Sequence, residues 1–281
     1  MIPTIDQTKK ESKVSFAQIE ETDPQIVKFF SIGSMFYDAF EEQLQAIGMT
    51  PASGRENVAK TRWTMYMGSL FGENYVASIH LAVMAMPRAQ VNLNRQLFEY
   101  MIRNQWLLLH GDEAADLLDI LPWDAHDEVK RAKEVFDPDF VKDIEKQYED
   151  WKKKSPLANL KHRKQQPGVE TIVAELMPDN PTKEYFSMYS IPSIVGHAKG
   201  LGITDVLRIT GPGQCERDPN SIQFPRLHTL LRAISLMMRY GFFLGGHFNI
   251  DTSKFAALQA SYEAALEKFG IELEEIRIKI R

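Results

Sequence analysis

The sequence predicts an all-α protein, a multi-helix bundle of roughly seven to nine helices in one domain with a charged helical excursion. Three observations predict this fold. Apolar residues recur three and four positions apart in most segments, glycine and proline bound these segments, and no internal repeat is present. The composition, 44% hydrophobic and 25% charged, suits a chain of 281 residues that buries a sizeable core.

The N-terminal half contains four predicted helices after a flexible start. Residues 1–23 are polar and are predicted to be a flexible segment, whereas 24–281 form a single helical domain. The first helix ends near Gly48, and "RENVAKTRWTMYMGSLF" is the second. The stretch from "ENYVASIHL" to "WLLLHG" is the third, broken or kinked near Pro87 and ended by Gly111. "DEAADLLDIL", with acidic residues in its first turn, begins the fourth.

Residues 123–165 are predicted to be a charged insertion that projects from the core. Opposite charges stand three and four positions apart along most of this segment, which is typical of exposed helices. We expect one or two such helices followed by a mobile loop. The loop carries a basic run, residues 161–164, which is short for a phosphate-binding patch.

The C-terminal part is predicted to add further helices around one long loop. "VETIVAELM" is a short helix, and "DNPTKEYFSMYSIPSIVGHAKGLG" contains a helix bent by its proline. "ITGPGQCERDPNSIQFP" is predicted to be a loop. "RLHTLLRAISLMMRYGFFLGG" and "TSKFAALQASYEAALEKFG" are helices, the second ended by Gly270. The tail, "IELEEIRIKIR", has some strand character.

The charge balance and the cysteine content exclude several classes of protein. With 33 basic and 38 acidic residues the net charge is −5, so the sequence predicts no general attraction to DNA or to an anionic membrane. The single cysteine, Cys215, excludes an internal disulfide and a cysteine-based zinc cluster and fits a reducing compartment. No segment resembles a signal peptide or a membrane span. We therefore expect a cytoplasmic protein, and no motif predicts a metal or another cofactor.

One helical segment, residues 92–110, carries a polar stripe on an otherwise apolar surface. At about 100° per residue, six polar side chains fall on one face. They are Asn92, Arg95, Gln96, Glu99, Arg103 and His110. The stripe is either an exposed ladder of ion pairs, which contributes only a few tenths of a kcal/mol per pair, or a polar site inside the bundle. Asn94, Asn104 and Gln105 fall on the apolar side, where a buried amide requires hydrogen-bond partners.

A second group of polar residues lies in "YSIPSIVGHAKG". Tyr189, Ser193 and His197 are spaced by four, so a helix places them in one column. Pro192 bends such a helix, and Gly196 allows a backbone or a ligand to approach closely. The same pattern fits a kinked core helix in which His197 bonds the last carbonyls.

Two of these motifs together carry a resemblance. One is an Arg-x-x-x-Glu helix, and the other is a Tyr/Ser-rich helix that ends in histidine. The motif residues are Arg95, Glu99, Tyr189, Ser190 and His197. Over roughly residues 60–240 the chain resembles a widespread bacterial family of all-helical proteins known only as a domain of unknown function, although 123–165 is longer than the family's usual connection. The resemblance implies that Arg, Glu, Tyr and His meet in the interior.

Our leading hypothesis is therefore an internal polar cluster that holds a small ligand or stabilises the bundle. Its residues are Arg95, Glu99, Tyr189, Ser193 and His197. In this hypothesis Arg95 and Glu99 pair with each other, and the partners from the second helix complete the network or face a small cavity.

Two alternatives come from other functional classes. Arg103, Asn104 and His110 are similar to the Arg-polar…His signature of HEPN-type ribonucleases, small helical domains that cleave RNA without a metal. That similarity implies proton transfer by His110 and charge stabilisation by Arg103, and RNA is a partner only in this case. In the other alternative, the exposed helices of 123–165 and the "FAALQASYEAALEKF" face recruit a protein partner or a second copy of the chain.

Overall fold

The computed structural model describes residues 23–162, 164–190, 192–193, 207–211, 214–217 and 226–271. In these ranges ten α-helices pack together and the strands form one two-stranded hairpin. The helices are α1 (Pro24–Met49), α2 (Arg55–Val83), α3 (Pro87–Leu109), α4 (Gly111–Asp119), α5 (Leu121–Ala132), α6 (Pro138–Lys154), α7 (Val169–Leu176), α8 (Pro181–Tyr185), α9 (Arg226–Phe248) and α10 (Ser253–Phe269). The predicted all-α class is confirmed. The count of ten in these ranges is slightly above the expected seven to nine or so.

Capping residues and breaks in the chain determine where the first three helices begin and end. Asp23 accepts hydrogen bonds from N–H groups of the first turn, and Pro24 follows at the first helical position, so α1 begins where the pattern predicts. α2 continues to Val83, well beyond the expected second helix, because the glycine between the two predicted segments is buried inside the helix. The break near Pro87 is confirmed, since Ala85 has a φ of 54° and α3 starts two residues later.

α3 and α9 lie side by side and run in the same direction. Asn94 Nδ2 donates to the carbonyl of Thr229 at 2.8 Å, and Asn104 Nδ2 donates to the Tyr240 hydroxyl at 2.7 Å, so the two helices advance together. Aromatic rings from α1, α2 and α9 meet with centroids between 4.8 and 5.5 Å apart. Each such fully buried side chain contributes about 1.5–3 kcal/mol to stability.

The charged segment forms an exposed helical hairpin, as predicted. α6 has no buried residue, and in α5 only Val129 is buried. The two helices contact each other through aromatic rings, with the Trp123 and Trp151 centroids 5.8 Å apart. A 3-10 turn, Pro156–Asn159, then leads back toward the bundle.

Two C-terminal segments differ from their predictions. The segment expected to be one bent helix begins as the short α8 and continues as a π-helical turn, Phe186–Ser190. This wide turn immediately precedes the proline region, where a proline ring removes a backbone donor. The predicted loop contains strands β1 (Leu207–Gly211) and β2 (Gln214–Arg217), paired antiparallel. Their Leu-Arg-Ile-Thr alternation around "GPG" is a hairpin pattern that the glycine and proline content obscured.

The last two helices pack tightly on α1. α9 continues through the glycine pair expected to end it and stops at Phe248. α10 ends at Gly270, which has a φ of 64°, as predicted. Among the helices that the structure describes, none combines the length and the apolar character needed to cross a membrane. The predicted strand in the tail lies outside the described residues.

Candidate functional site

The polar stripe of α3 is a continuous ladder of ion pairs. Glu99 Oε2 lies 3.4 Å from Arg95 Nη1, and Glu99 Oε1 lies 2.9 Å from Arg103 Nε. The side chains of Arg95, Glu99 and Arg103 are only 12%, 22% and 22% exposed. The stripe therefore faces neither bulk solvent nor a sealed core, and other parts of the chain partly cover it.

The cover comes from the segment that follows the charged hairpin. Gln166 Oε1 accepts a hydrogen bond from Arg103 Nη1 at 3.1 Å, and at the other end the Arg95 guanidinium lies 5.1 Å from the centroid of the Tyr189 ring. Tyr189 in turn stacks on Tyr185, with centroids 5.8 Å apart. A cation over an aromatic face is attracted by the ring quadrupole, so Tyr189 orients Arg95 as well as burying it.

The structure brings together three of the five residues of the predicted cluster. Arg95, Glu99 and Tyr189 are in contact, as described above. Ser193 is half-buried, and its hydroxyl has no hydrogen-bond partner in the part of the chain that the structure describes. The Nε donor of Arg95 is likewise buried without a partner there. His197 lies outside the described residues.

Sequence reasoning missed the cations that α9 contributes to the same region. Arg232 is half-buried and has no hydrogen bond or ion pair within the described residues. Burial lowers the pKa of Arg232, and the nearby Glu184 carboxylate only partly opposes that shift. Arg239 Nη1 lies 3.7 Å from Glu184 Oε2. The available signal was a pair of arginines seven positions apart in an otherwise apolar helix.

Arg95 and Arg232 project to the same side of the α3–α9 pair. Arg95 comes one position after Asn94, and Arg232 comes three positions after Thr229. Asn94 and Thr229 are hydrogen-bonded to each other, so they fix the register of the two parallel helices. At about 100° per residue, the step from Asn94 to Arg95 and the three steps from Thr229 to Arg232 are rotations of about 100° and about 300°. In two parallel helices that meet at Asn94 and Thr229, these rotations turn both arginines toward a common face. The cover formed by α8 and the π-helical turn lies on that face, since it contacts both Arg95 and Arg239.

The three nuclease-like residues point to different places. Asn104 is fully buried and bonds Thr64 and Tyr240 on the opposite side of α3. α3 ends at Leu109, earlier than predicted, so His110 starts the connection to α4. Asn104 therefore lies on the apolar side of α3, where its position in the sequence places it, and not beside Arg103 and His110.

His110 belongs to a separate small group at the end of α3. Its Nε2 lies 2.5 Å from Glu175 Oε1, and its ring stacks on Trp106 with centroids 4.6 Å apart. Trp106 Nε1 donates to the other carboxylate oxygen of Glu175 at 3.1 Å. The carboxylate thereby fixes the orientation of the imidazole, as a positioned acid–base group requires.

The surfaces proposed for a protein partner differ in their availability. The large apolar residues of α10 are buried or half-buried, and Tyr262 packs edge-on against Phe29 of α1 with centroids 5.6 Å apart. That face is therefore already covered by the protein itself. The tip of the charged hairpin is open, with Val135 84% exposed beside Phe136 and Phe140.

Neither composition nor similarity adds a known site. Within the described residues, no group of three or more His, Cys, Asp or Glu side chains is arranged to hold a metal ion. No protein-family model, curated protein or solved structure matches the chain. The two family resemblances therefore stay predictions.

Proposed function

We propose that the protein binds a small oxyanion, such as a phosphate-bearing molecule, between α3 and α9, with Arg95 and Arg232 as its principal ligands. One observation carries the proposal: two half-buried guanidinium groups lie on one side of parallel helices. Among the described residues, Arg95 Nε is buried without a hydrogen-bond partner, and Arg232 has no hydrogen bond or ion pair. The Tyr189 ring orients the Arg95 guanidinium, and Glu99 forms an ion pair with Nη1 of the same group. The proposed site takes Arg95, Glu99 and Tyr189 from the predicted cluster and adds Arg232.

The charge of this face supports an anionic ligand. Among the described residues, four cations, Arg95, Arg103, Arg232 and Arg239, face two carboxylates, Glu99 and Glu184, so four minus two leaves a net charge of +2. A buried charge without a partner costs several kcal/mol. A bound oxyanion offsets that cost by accepting hydrogen bonds from the guanidinium groups of both Arg95 and Arg232.

The residue types fit the chemistry of a phosphate or carboxylate. A guanidinium is planar, stays charged and presents paired N–H donors that match two oxygens of such a group. Because these groups bind and orient rather than react, the proposal concerns recognition and does not specify a reaction.

Replacing Arg232 with methionine tests the site. Without ligand, Arg232→Met is expected to raise Tm, because it removes an unpaired, half-buried charge and keeps most of the apolar stem. The free energy of unfolding should rise by roughly 1 kcal/mol or more. At a phosphate or sulfate concentration of ten times Kd, the free energy of unfolding of wild type is expected to rise by about 1.4 kcal/mol. That of the variant should not change. Thermal unfolding in phosphate, sulfate and chloride at matched ionic strength measures both effects.

Arg131→Gln is the matched control, because in the part of the chain that the structure describes Arg131 pairs with Glu128 alone, on the exposed surface of α5. It should keep the wild-type response to phosphate. The proposal is abandoned if wild type responds equally to phosphate and chloride. It is also abandoned if Arg232→Met lowers Tm and keeps the phosphate response, which is the behaviour of a purely structural arginine.

The His110–Glu175 contact favours cleavage of RNA as a second candidate function, because it orients an accessible imidazole for proton transfer. Purified protein would then degrade single-stranded RNA in the presence of a metal chelator. His110→Ala is expected to reduce the rate by a factor of about 10² or more, whereas Asn104 contributes only to stability. Equal cleavage by wild type and His110→Ala would reject this candidate.

A further inference from the structure

A second concave site includes Arg103 at the end of the α3 ladder, but its described lining contains neither Arg95 nor Arg232. It is a cavity of about 770 Å³ between α2, the α4–α5 region and residues 164–166. Pockets for small ligands commonly span about 300–1,000 Å³, so this one has room for a whole small molecule. Nothing in the oxyanion proposal accounts for it.

The wall of this cavity is apolar and partly aromatic. Trp63 and Met67 of α2 face Leu117 and Leu118 of α4. At its mouth Tyr66 is 56% exposed and Leu121 is 43% exposed. Large apolar side chains left open inside a concave surface indicate a ligand with an apolar body.

Cations dominate the charged groups around this wall. Arg62, Arg103 and Lys164 line the cavity, and Asp124 is the carboxylate among its described lining residues. Arg103 is occupied by Glu99, and Lys164 bonds Asp116. Arg62 is exposed and has neither an ion pair nor a hydrogen bond within the described residues. Among the described cations that line the cavity, Arg62 is therefore the one left to meet a ligand.

We propose that this cavity binds a small anionic amphiphile, a carboxylate with an aliphatic or aromatic body, whose charge lies against Arg62 and whose body covers Trp63 and Met67. Arg103 lies deeper and adds positive potential without leaving Glu99. The apolar wall supplies most of the affinity, at about 25 cal/mol per Å² of surface removed from water, and the arginine selects the sign of the head group.

Three twelve-carbon probes test the proposal: laurate, dodecanol and dodecylammonium, titrated calorimetrically below their micelle concentrations. Laurate is expected to bind once per chain and more tightly than dodecanol, with dodecylammonium weakest. Arg62→Gln is expected to weaken laurate binding about tenfold, the usual loss of one charge-assisted contact, and to leave dodecanol unchanged. Because Arg62 is exposed, the substitution should not disturb folding.

Arg131→Gln serves again as the control and should bind all three probes like wild type. Similar affinity for laurate and dodecylammonium would overturn the proposal, as would an unchanged laurate affinity in Arg62→Gln or no saturable binding at all. Arg232→Met separates the two sites: it removes the phosphate response expected of the α3–α9 face and leaves laurate binding intact.

Discussion

Replacing Gly241 with alanine is expected to lower the free energy of unfolding by about 3 kcal/mol. Gly241 lies in the middle of α9, where the ring of Phe255 from α10 packs directly on its backbone. A Cβ at this position would lie 2.8 Å from Cδ1 of that ring and closer still to Cε1 and Cζ. Phe255 is buried and also packs against Phe36, with centroids 5.7 Å apart, so it cannot swing away without disturbing α1.

Urea unfolding followed by far-UV circular dichroism measures the loss. Gly246→Ala is the matched control, because a Cβ at Gly246 on the same helix meets no atom within 4 Å. There alanine is expected to leave stability unchanged or to raise it by up to about 1 kcal/mol, through its higher helix propensity. Equal midpoints for Gly241→Ala and Gly246→Ala would show that close packing at Gly241 is not what holds α10 in place.

These glycines show why the helix boundaries were predicted only in part. Local signals predicted the start of α1 at Pro24, the break before Pro87 and the end of α10 at Gly270, because each acts within one turn of the chain. A glycine inside a helix gives the same local signal as one that ends it. The difference depends on a side chain from another helix, as Gln43 of α1 against Gly245 illustrates.

The candidate site was predictable to a similar extent. Spacing along α3 predicted the Arg95–Glu99 pair, and the resemblance predicted that Tyr189 meets it. Arg232 was missed because its role depends on the register between α3 and α9, which is set by hydrogen bonds between buried amides and groups on α9. A single sequence gives each helical face, but not which faces meet.

Asn104 is the clearest case of a residue whose type suggested one role and whose surroundings give another. Its side chain lies fully buried between α2, α3 and α9, donates to Tyr240 at 2.7 Å and lies 3.2 Å from the Thr64 hydroxyl. Burial raises the pKa of Tyr240, so its hydroxyl stays protonated and accepts the amide hydrogen bond. The amide thereby satisfies polar groups from two other helices at once.

Asn104→Ala is expected to destabilise the protein by about 3 kcal/mol, because it leaves two buried hydroxyls with one partner fewer and opens a cavity. Tyr240→Phe alone should cost about 1–2 kcal/mol, since it strands a single amide donor. If the two residues act as a unit, the double variant loses less than the sum of the single losses, with a coupling of about 0.5–3 kcal/mol.

Gln105→Ala, at the next and half-buried position, should change stability by no more than about 0.5 kcal/mol. Additive losses in this cycle would mean that Asn104 and Tyr240 stabilise the bundle independently. Among the side-chain hydrogen bonds of the described residues, the α3–α9 register that brings Arg95 and Arg232 to one face would then depend on those that Thr229 makes with Asn94 and Gln90.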